Sequence, residues 1–205
     1  MKKILLMLAF APFAGRSQSF FFENRDILKM EKEENKKKYV VEPVFHGDVF
    51  IPVGEVFSLG TYFQIEGKTG ELIPMVEAKV FRHVEIGAGF GYEHPKNVRA
   101  AASLQWKTEK DNLFYFSEFL GTGYWYHAFY ERKVTPRFGA GIVSQEGVGI
   151  GMRFSEKLPL HLSVWGSYCF DPGSGRTAFL VGVRYVYETE KALEYEEARV
   201  SDENR

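Results

Sequence analysis

The stretch His83-Val84-Glu85-Ile86-Gly87-Ala88-Gly89-Phe90-Gly91-Tyr92-Glu93 decides the fold. Its apolar side chains, Val84, Ile86, Ala88, Phe90 and Tyr92, occupy every second position, and between them stand only His83, Glu85, three glycines and Glu93. A period of two sends successive side chains to opposite faces of an extended chain. This is a strand with one apolar face and one face of glycine and charge. The same division returns in 98–107, where Val98, Ala100, Ala102, Leu104 and Trp106 oppose Arg99, Ala101, Ser103, Gln105 and Lys107. In 147–155, Val148, Ile150, Met152 and Phe154 oppose glycines, Arg153 and Ser155, and in 56–66, Phe57, Leu59, Thr61, Phe63 and Ile65 share one face. Further strands are expected over 44–51, 72–81, 112–120, 123–132, 136–144, 160–170 and 177–187, between turn signals such as Gly67-Lys68-Thr69-Gly70 and Asp171-Pro172-Gly173-Ser174-Gly175. From Tyr39 to Tyr187 the chain carries no helical period and reads as all-β.

Composition bounds what such a domain does. With 205 residues, 45% hydrophobic and 26% charged, the chain is neither a helical membrane bundle nor disordered. Lys+Arg 26 against Asp+Glu 27 leaves a formal charge of -1, without the basic excess that tracks a phosphate backbone, so nucleic acid is excluded as a partner. The lone cysteine, Cys169, excludes an intrachain disulfide framework and a cysteine-based zinc cluster. At the start, Met1-Lys2-Lys3 precedes the apolar run Ile4 to Ala14 and the small and polar residues Gly15 to Ser19. That order reads as a secretory signal peptide over 1–19, and the run is shorter than the roughly 20 apolar residues of a membrane-spanning helix. Residues 20–38 read as a charged flank, 39–187 as the β-domain, and 188–205, with seven acidic and three basic residues, as a charged tail.

The two faces of each strand differ in a way that bears on solvent. A soluble sandwich or barrel packs bulky aliphatic side chains into a shared core, whereas a row of Gly, Ser, Arg and Glu makes no such core. That row suits the inside of a small closed barrel whose apolar face meets lipid. The segmentation yields eleven strands, while a single-chain bacterial barrel of this kind has an even number. Ten to twelve are expected, with eight as the lower possibility, and the miscount falls near 39–51 or 112–132. The alternative is a soluble secreted or periplasmic β-barrel or sandwich that binds an apolar ligand or a partner protein; which face is buried discriminates the two.

Leu180-Val181-Gly182-Val183-Arg184-Tyr185-Val186-Tyr187 carries a glycine, then two residues, then aromatic-x-aromatic. It resembles the closing-strand signal of bacterial outer-membrane β-barrels, with Gly182, Tyr185 and Tyr187 in the signal positions. Ser155-Glu156-Lys157-Leu158-Pro159-Leu160 is similar to the short periplasmic turns of that family. The resemblance implies an up-and-down antiparallel barrel in the outer membrane, with membrane lipid and the barrel-assembly machinery as partners.

Candidate chemistry is sparse. His46, His83, His94, His127 and His161 show no metal-ligand spacing. His161, Ser163 and Ser167 share a strand face with Trp165, which suggests a nucleophile and base, but no third group completes the set. A lipid-modifying enzyme is therefore carried only as an alternative, and no catalytic residue, metal or cofactor is assigned. Glu85, Arg99, Arg137, Arg153 and Arg184, with Glu77 and Lys79, fall on the proposed lumen face, where in a narrow barrel they would pair and plug the interior. Tyr124, Trp125, Tyr126, Phe129 and Tyr130 read either as an interfacial aromatic belt or as a stacking surface for sugar or lipid. Cys169 reads as a buried, inert thiol. The functional expectation is an exported, non-enzymatic barrel with a structural, adhesive or small-solute role.

Overall fold

The computed structural model describes residues 19–33, 36–94, 97–121 and 123–188. They form one antiparallel sheet of twelve strands closed into a barrel. In chain order these are β1 (Ser19–Glu33), β2 (Lys36–Val53), β3 (Phe57–Glu66), β4 (Thr69–Phe81), β5 (Val84–Glu93) and β6 (Asn97–Lys107). They continue with β7 (Asp111–Phe119), β8 (Trp125–Lys133), β9 (Phe138–Gln145), β10 (Gly149–Lys157), β11 (Leu162–Asp171) and β12 (Arg176–Glu188). Each strand pairs with the next, and β12 pairs with β1 from Ser19↔Glu188 to Lys29↔Ala178. Within the barrel wall, closure removes the open edges that would leave rows of unpaired backbone groups to satisfy.

The expected strands correspond to β2 through β12. The missing one is β1, inside the block 20–38 that reads as a charged flank, so the miscount lies neither near 39–51 nor near 112–132. Residues 19–29 are laddered on both sides, to β12 and to β2, and 30–33 to β2 alone. The reason the pattern hides this strand is that its inward face holds a charge, Glu23, which is buried, while Asn24 and Asp26 stand exposed on its outer face. The inward charge is like that of the other strands, but the outer face lacks their apolar row. The barrel accordingly begins at Ser19 rather than at residue 39. The expected signal peptide lies almost wholly outside the described residues, as does the tail after Glu188.

The β1–β2 hairpin overhangs the barrel. Met30 to Glu33 pair only with Lys36 to Tyr39, whereas β12 ends its pairing at Lys29 and β3 reaches no further along β2 than Val44. The overhang rises from the end of the barrel opposite the start of β1, hereafter the far end. The turns β3–β4, β5–β6, β7–β8 and β9–β10 close that end.

Side chains sort by parity as the sequence suggests. Leu59, Ile86, Phe90, Ile150, Met152 and Val181 point outward and are exposed. The inward face differs from the expected ring of Gly, Ser and charge, because two apolar clusters also fill the lumen. One gathers Ile27, Val44, Phe129, Trp165 and Leu180; the other gathers Phe50, Tyr62, Ile73, Met75 and Phe116. The glycine rows make room for them. A Cβ on Gly89 would stand 2.6 Å from Met75 Cγ and 2.9 Å from Ile73 Cγ2, and one on Gly182 would strike the Trp165 indole. Small inward residues on one strand thus oppose large ones on its neighbour, which packs the middle of a narrow lumen.

Candidate functional site in the barrel lumen

Two polar constellations are set among these apolar clusters. The first spans the seam where β12 meets β1. Glu23 Oε1 lies 2.9 Å from His46 Nε2 on β2, while its Oε2 accepts hydrogen bonds from Trp165 Nε1 on β11 at 2.8 Å and from Arg184 Nε on β12 at 2.9 Å. One carboxylate therefore ties four strands together from inside. Beside it Arg153, 1% exposed, lies over the Trp165 ring at 4.0 Å and the Phe129 ring at 4.7 Å, and its Nε donates to Glu131 at 3.2 Å. A guanidinium stacked on two rings and paired with a carboxylate is a largely compensated buried charge, although its Nη1 has no hydrogen-bond partner. This group lies in the lumen beside β8, β10, β11 and β12.

The second constellation lies near the far end. Arg99 on β6 is ringed by three carboxylates: Glu71 at 3.2 Å, Glu93 at 3.2 Å and Glu118 at 3.4 Å. Its Nη1 donates to the carbonyls of Leu120 and Gly123 in the β7–β8 turn, each at 2.9 Å. These groups open onto a cavity of about 280 Å³ that Glu66 and Trp125 also line. A second cavity of about 270 Å³, lined by Glu42, Gln145 and Glu146, shares Glu66 and Trp125 with the first.

The expected lumen charges divide accordingly. Arg99, Arg153 and Arg184 point inward, each into one of the two constellations. Glu85 points inward and is half-buried, opposite Lys79 across the β4–β5 ladder, with Glu77 two pairs further along. Arg137 is a correction: it is exposed in the β8–β9 turn, where the strand parity that placed it inside no longer applies. The aromatic group 124–130 does not form one surface either. Trp125 and Phe129 face the lumen, while Tyr126 and Tyr130 alternate outward and Tyr124 caps Tyr115 from the turn through a 2.8 Å hydroxyl contact. Alternation along β8 allows no other outcome.

In the closing strand, Gly182 faces inward under Trp165, and Tyr185 stands outside with its ring 6.4 Å from that of His161. Tyr187 pairs with Phe20 across the seam. The His161–Ser163–Ser167 grouping is not assembled. Leu160 and His161 take left-handed backbone angles, φ 61° and 59°, in the β10–β11 turn, which turns the imidazole toward Tyr185 and away from the inward-facing serines. Cys169 is buried in the first apolar cluster. Among the described residues no group of three metal-ligating side chains is placed to hold an ion. Sequence reasoning missed Glu23, Glu71, Glu93 and Glu118, although inward parity with Glu85 and Gly91 already marks Glu93.

No family model matches the chain, and no curated protein matches it either. Solved structures do. A KdgM porin is 14% identical and superposes with a TM-score of 0.51 over 80% of this chain and 98% of that one. Outer membrane phospholipase A from Escherichia coli is 12% identical, with a TM-score of 0.50 over 83% and 92% of the two chains. Omp33 from Acinetobacter baumannii is 8% identical, with a TM-score of 0.50 over 84% and 100%. The chain has the fold of a small bacterial outer-membrane β-barrel. The outward apolar band is the physical counterpart of that likeness, because an exterior of exposed Leu, Ile, Phe and Val over most of the strands, β1 excepted, is solvated by lipid. A soluble barrel with the same strands would have buried this face, so the outer membrane is where the molecule resides.

Proposed function

We propose that this outer-membrane barrel is non-enzymatic and has a small-solute role: its own side chains close the lumen, and a polar antechamber at the far end receives the solute. The observation that carries this reading is the stacking of the two cavities at the far end above an interior packed with Trp165, Phe129, Phe116 and Met75. A pore that is always open needs a continuous water-filled path, and a twelve-strand barrel with large inward side chains does not leave one. Leader export through residues 1–19 and recognition of β12 by the assembly machinery complete the proposal. The separation of His161 from Ser163 favours no hydrolase.

Reconstitution in planar lipid bilayers tests this. The wild-type barrel is expected to show no steady ohmic conductance, and Trp165→Ala together with Arg153→Ala is expected to introduce one. The same protein in phospholipid vesicles is expected to release no fatty acid. A wild-type barrel that conducts as a constantly open pore, or that cleaves the vesicle lipid, overturns the reading.

A further inference from the structure

We propose that the acidic segment 189–205 docks across the near mouth of the barrel, where β1 starts and β12 finishes, on an arc of cations carried by β6 to β10. This goes beyond the small-solute reading and does not depend on it. At that mouth β6, β8 and β10 finish on Lys107, Lys133 and Lys157. All three share the inward parity of Arg99, Trp125 and Arg153, so they ring the opening. Backbone hydrogen bonds set two more cations beside them: the Lys133 amide donates to the Lys110 carbonyl at 2.7 Å, and the Lys157 amide to the Arg137 carbonyl at 2.8 Å. Lys110, Lys133, Arg137 and Lys157 are all exposed.

The carboxylates of the same arc do not offset this charge. Asp111 meets Arg132 at 3.8 Å, Glu131 meets Arg153 at 3.2 Å, and Glu156 stands on the outer parity opposite Phe138. Glu109, in the β6–β7 turn, attracts Lys133, while Lys107 and Lys157 repel it. Lys107 has a further interaction of its own and is not counted. Among the described residues of the arc, four cations are thus set against Glu109. A gathered charge of one sign at a water-filled opening attracts a polyanion.

The chain itself supplies one. Residues 189–205 hold six acidic and three basic residues, with Glu194, Glu196 and Glu197 close together. They follow β12 at this same mouth, where Glu188 pairs with Ser19 and the Val186 amide donates to the His161 carbonyl of the β10–β11 turn at 3.1 Å. Around the wall β10 is two strands from β12 and β8 is four, about 10 and 20 Å at roughly 4.8 Å per strand. An extended chain gains about 3.3 Å per residue, so Glu194 to Glu197 have a reach of roughly 20–30 Å from Glu188, enough for Lys133 and Arg137. Val134, Leu158 and Leu160 are exposed in the turns that follow Lys133 and Lys157, and they offer apolar ground to Leu193 and Tyr195. Tethering holds the segment at an effective concentration on the order of millimolar, against which a free anion has to compete.

The test uses the full chain folded in detergent micelles at low salt, with heat-modifiable gel migration as proof of folding. A zero-length carbodiimide joins lysine amines to carboxylates in contact. Mass spectrometry of the single-chain band is expected to find Lys133 or Lys157 joined to Glu194, Glu196 or Glu197. Cleavage tracks the undocked fraction, so a Glu-specific protease is expected to cut within 189–205 about tenfold more slowly than it cuts the isolated peptide. Lys133→Glu with Lys157→Glu is expected to abolish both the cross-links and the protection, whereas Lys133→Arg with Lys157→Arg keeps the protection. Should the charge-reversed variant fail the folding check, salt at about 0.5 M is expected to remove the protection in the wild type, because it screens exposed charges. Cutting of the folded wild type at the free peptide's rate, cross-links confined to a two-chain band, or protection that survives charge reversal or salt overturns the proposal. Shielding of Lys133 and Lys157 from acetylation only in vesicles that contain phosphatidylglycerol gives the arc to anionic lipid and overturns it as well. Conductance enters none of these readouts, so failure here leaves the small-solute reading untouched.

Discussion

Glu23 is the residue on which barrel closure depends most. Its carboxylate is fully enclosed and contacts His46, Trp165 and Arg184, so it links β1 to β2, β11 and β12 at the one place where the sheet joins its own beginning. Glu23→Ala removes one carboxylate from the half-buried Arg184 and from Trp165 and His46, a change that costs about 3 kcal/mol. Urea unfolding in lipid vesicles, followed by tryptophan fluorescence, is expected to show a loss of that order. An unfolding midpoint equal to that of the wild type removes Glu23 from the closure role. Its neighbour Asp26 is a useful contrast, being exposed on the outer face of the same strand. At this scale the sequence is legible only in part. Parity alone places Arg153 and Arg184 inside, but it says nothing of which carboxylate each will meet, because Arg153 meets Glu131 from two strands away and Arg184 meets Glu23, 161 positions away. Gly182 likewise declares an absent side chain, while the Trp165 ring that fills the space sits on the neighbouring strand.

At the scale of the strand, the lesson is in β1 and β12. Eleven strands are readable because each has one clean apolar face; β1 lacks one, since its pairing is enforced by two neighbours rather than by its own alternation. A local pattern cannot report stability that comes from closing a ring. Residues 19–33 are therefore expected to resist protease in the folded barrel, with mass spectrometry of the digest as the check. A cut within that stretch at the rate of an unstructured peptide contradicts the strand. For β12, Tyr185 stands on the outer surface and supports neither apolar cluster. Tyr185→Ala with Tyr187→Ala is expected to lower the yield of inserted barrel in cells well beyond any change in its unfolding midpoint. Normal insertion with a collapsed midpoint would mean that the rings act as core.

For the whole molecule, the decisive quantity is the sign of the exterior. Ile86 is 43% and Ile150 51% exposed, and Leu104 shares their outward parity. Arginine at any of the three is expected to obstruct insertion, since at the midplane of a barrel exterior it costs about 2–4 kcal/mol. The yield of folded protein in vesicles measures this; unchanged yield for all three reverses the assigned orientation. The fold class, the outward face and the inward charge rows are legible in the sequence because they follow from a period of two. The acidic antechamber is not, since it gathers Glu42, Glu66, Glu118 and Glu146 from four different strands and turns, and only ring closure and stagger bring them together. Closure has one more implication. Ser19 and Glu188 are cross-strand partners, so the first and last described strands bring the two ends of the ladder side by side. A short peptide joining them, with new termini cut into a turn such as Gly67-Lys68, yields a circular permutant whose ladder is unchanged. In that permutant β1 and β12 become an ordinary hairpin, and order of synthesis can be varied independently of architecture.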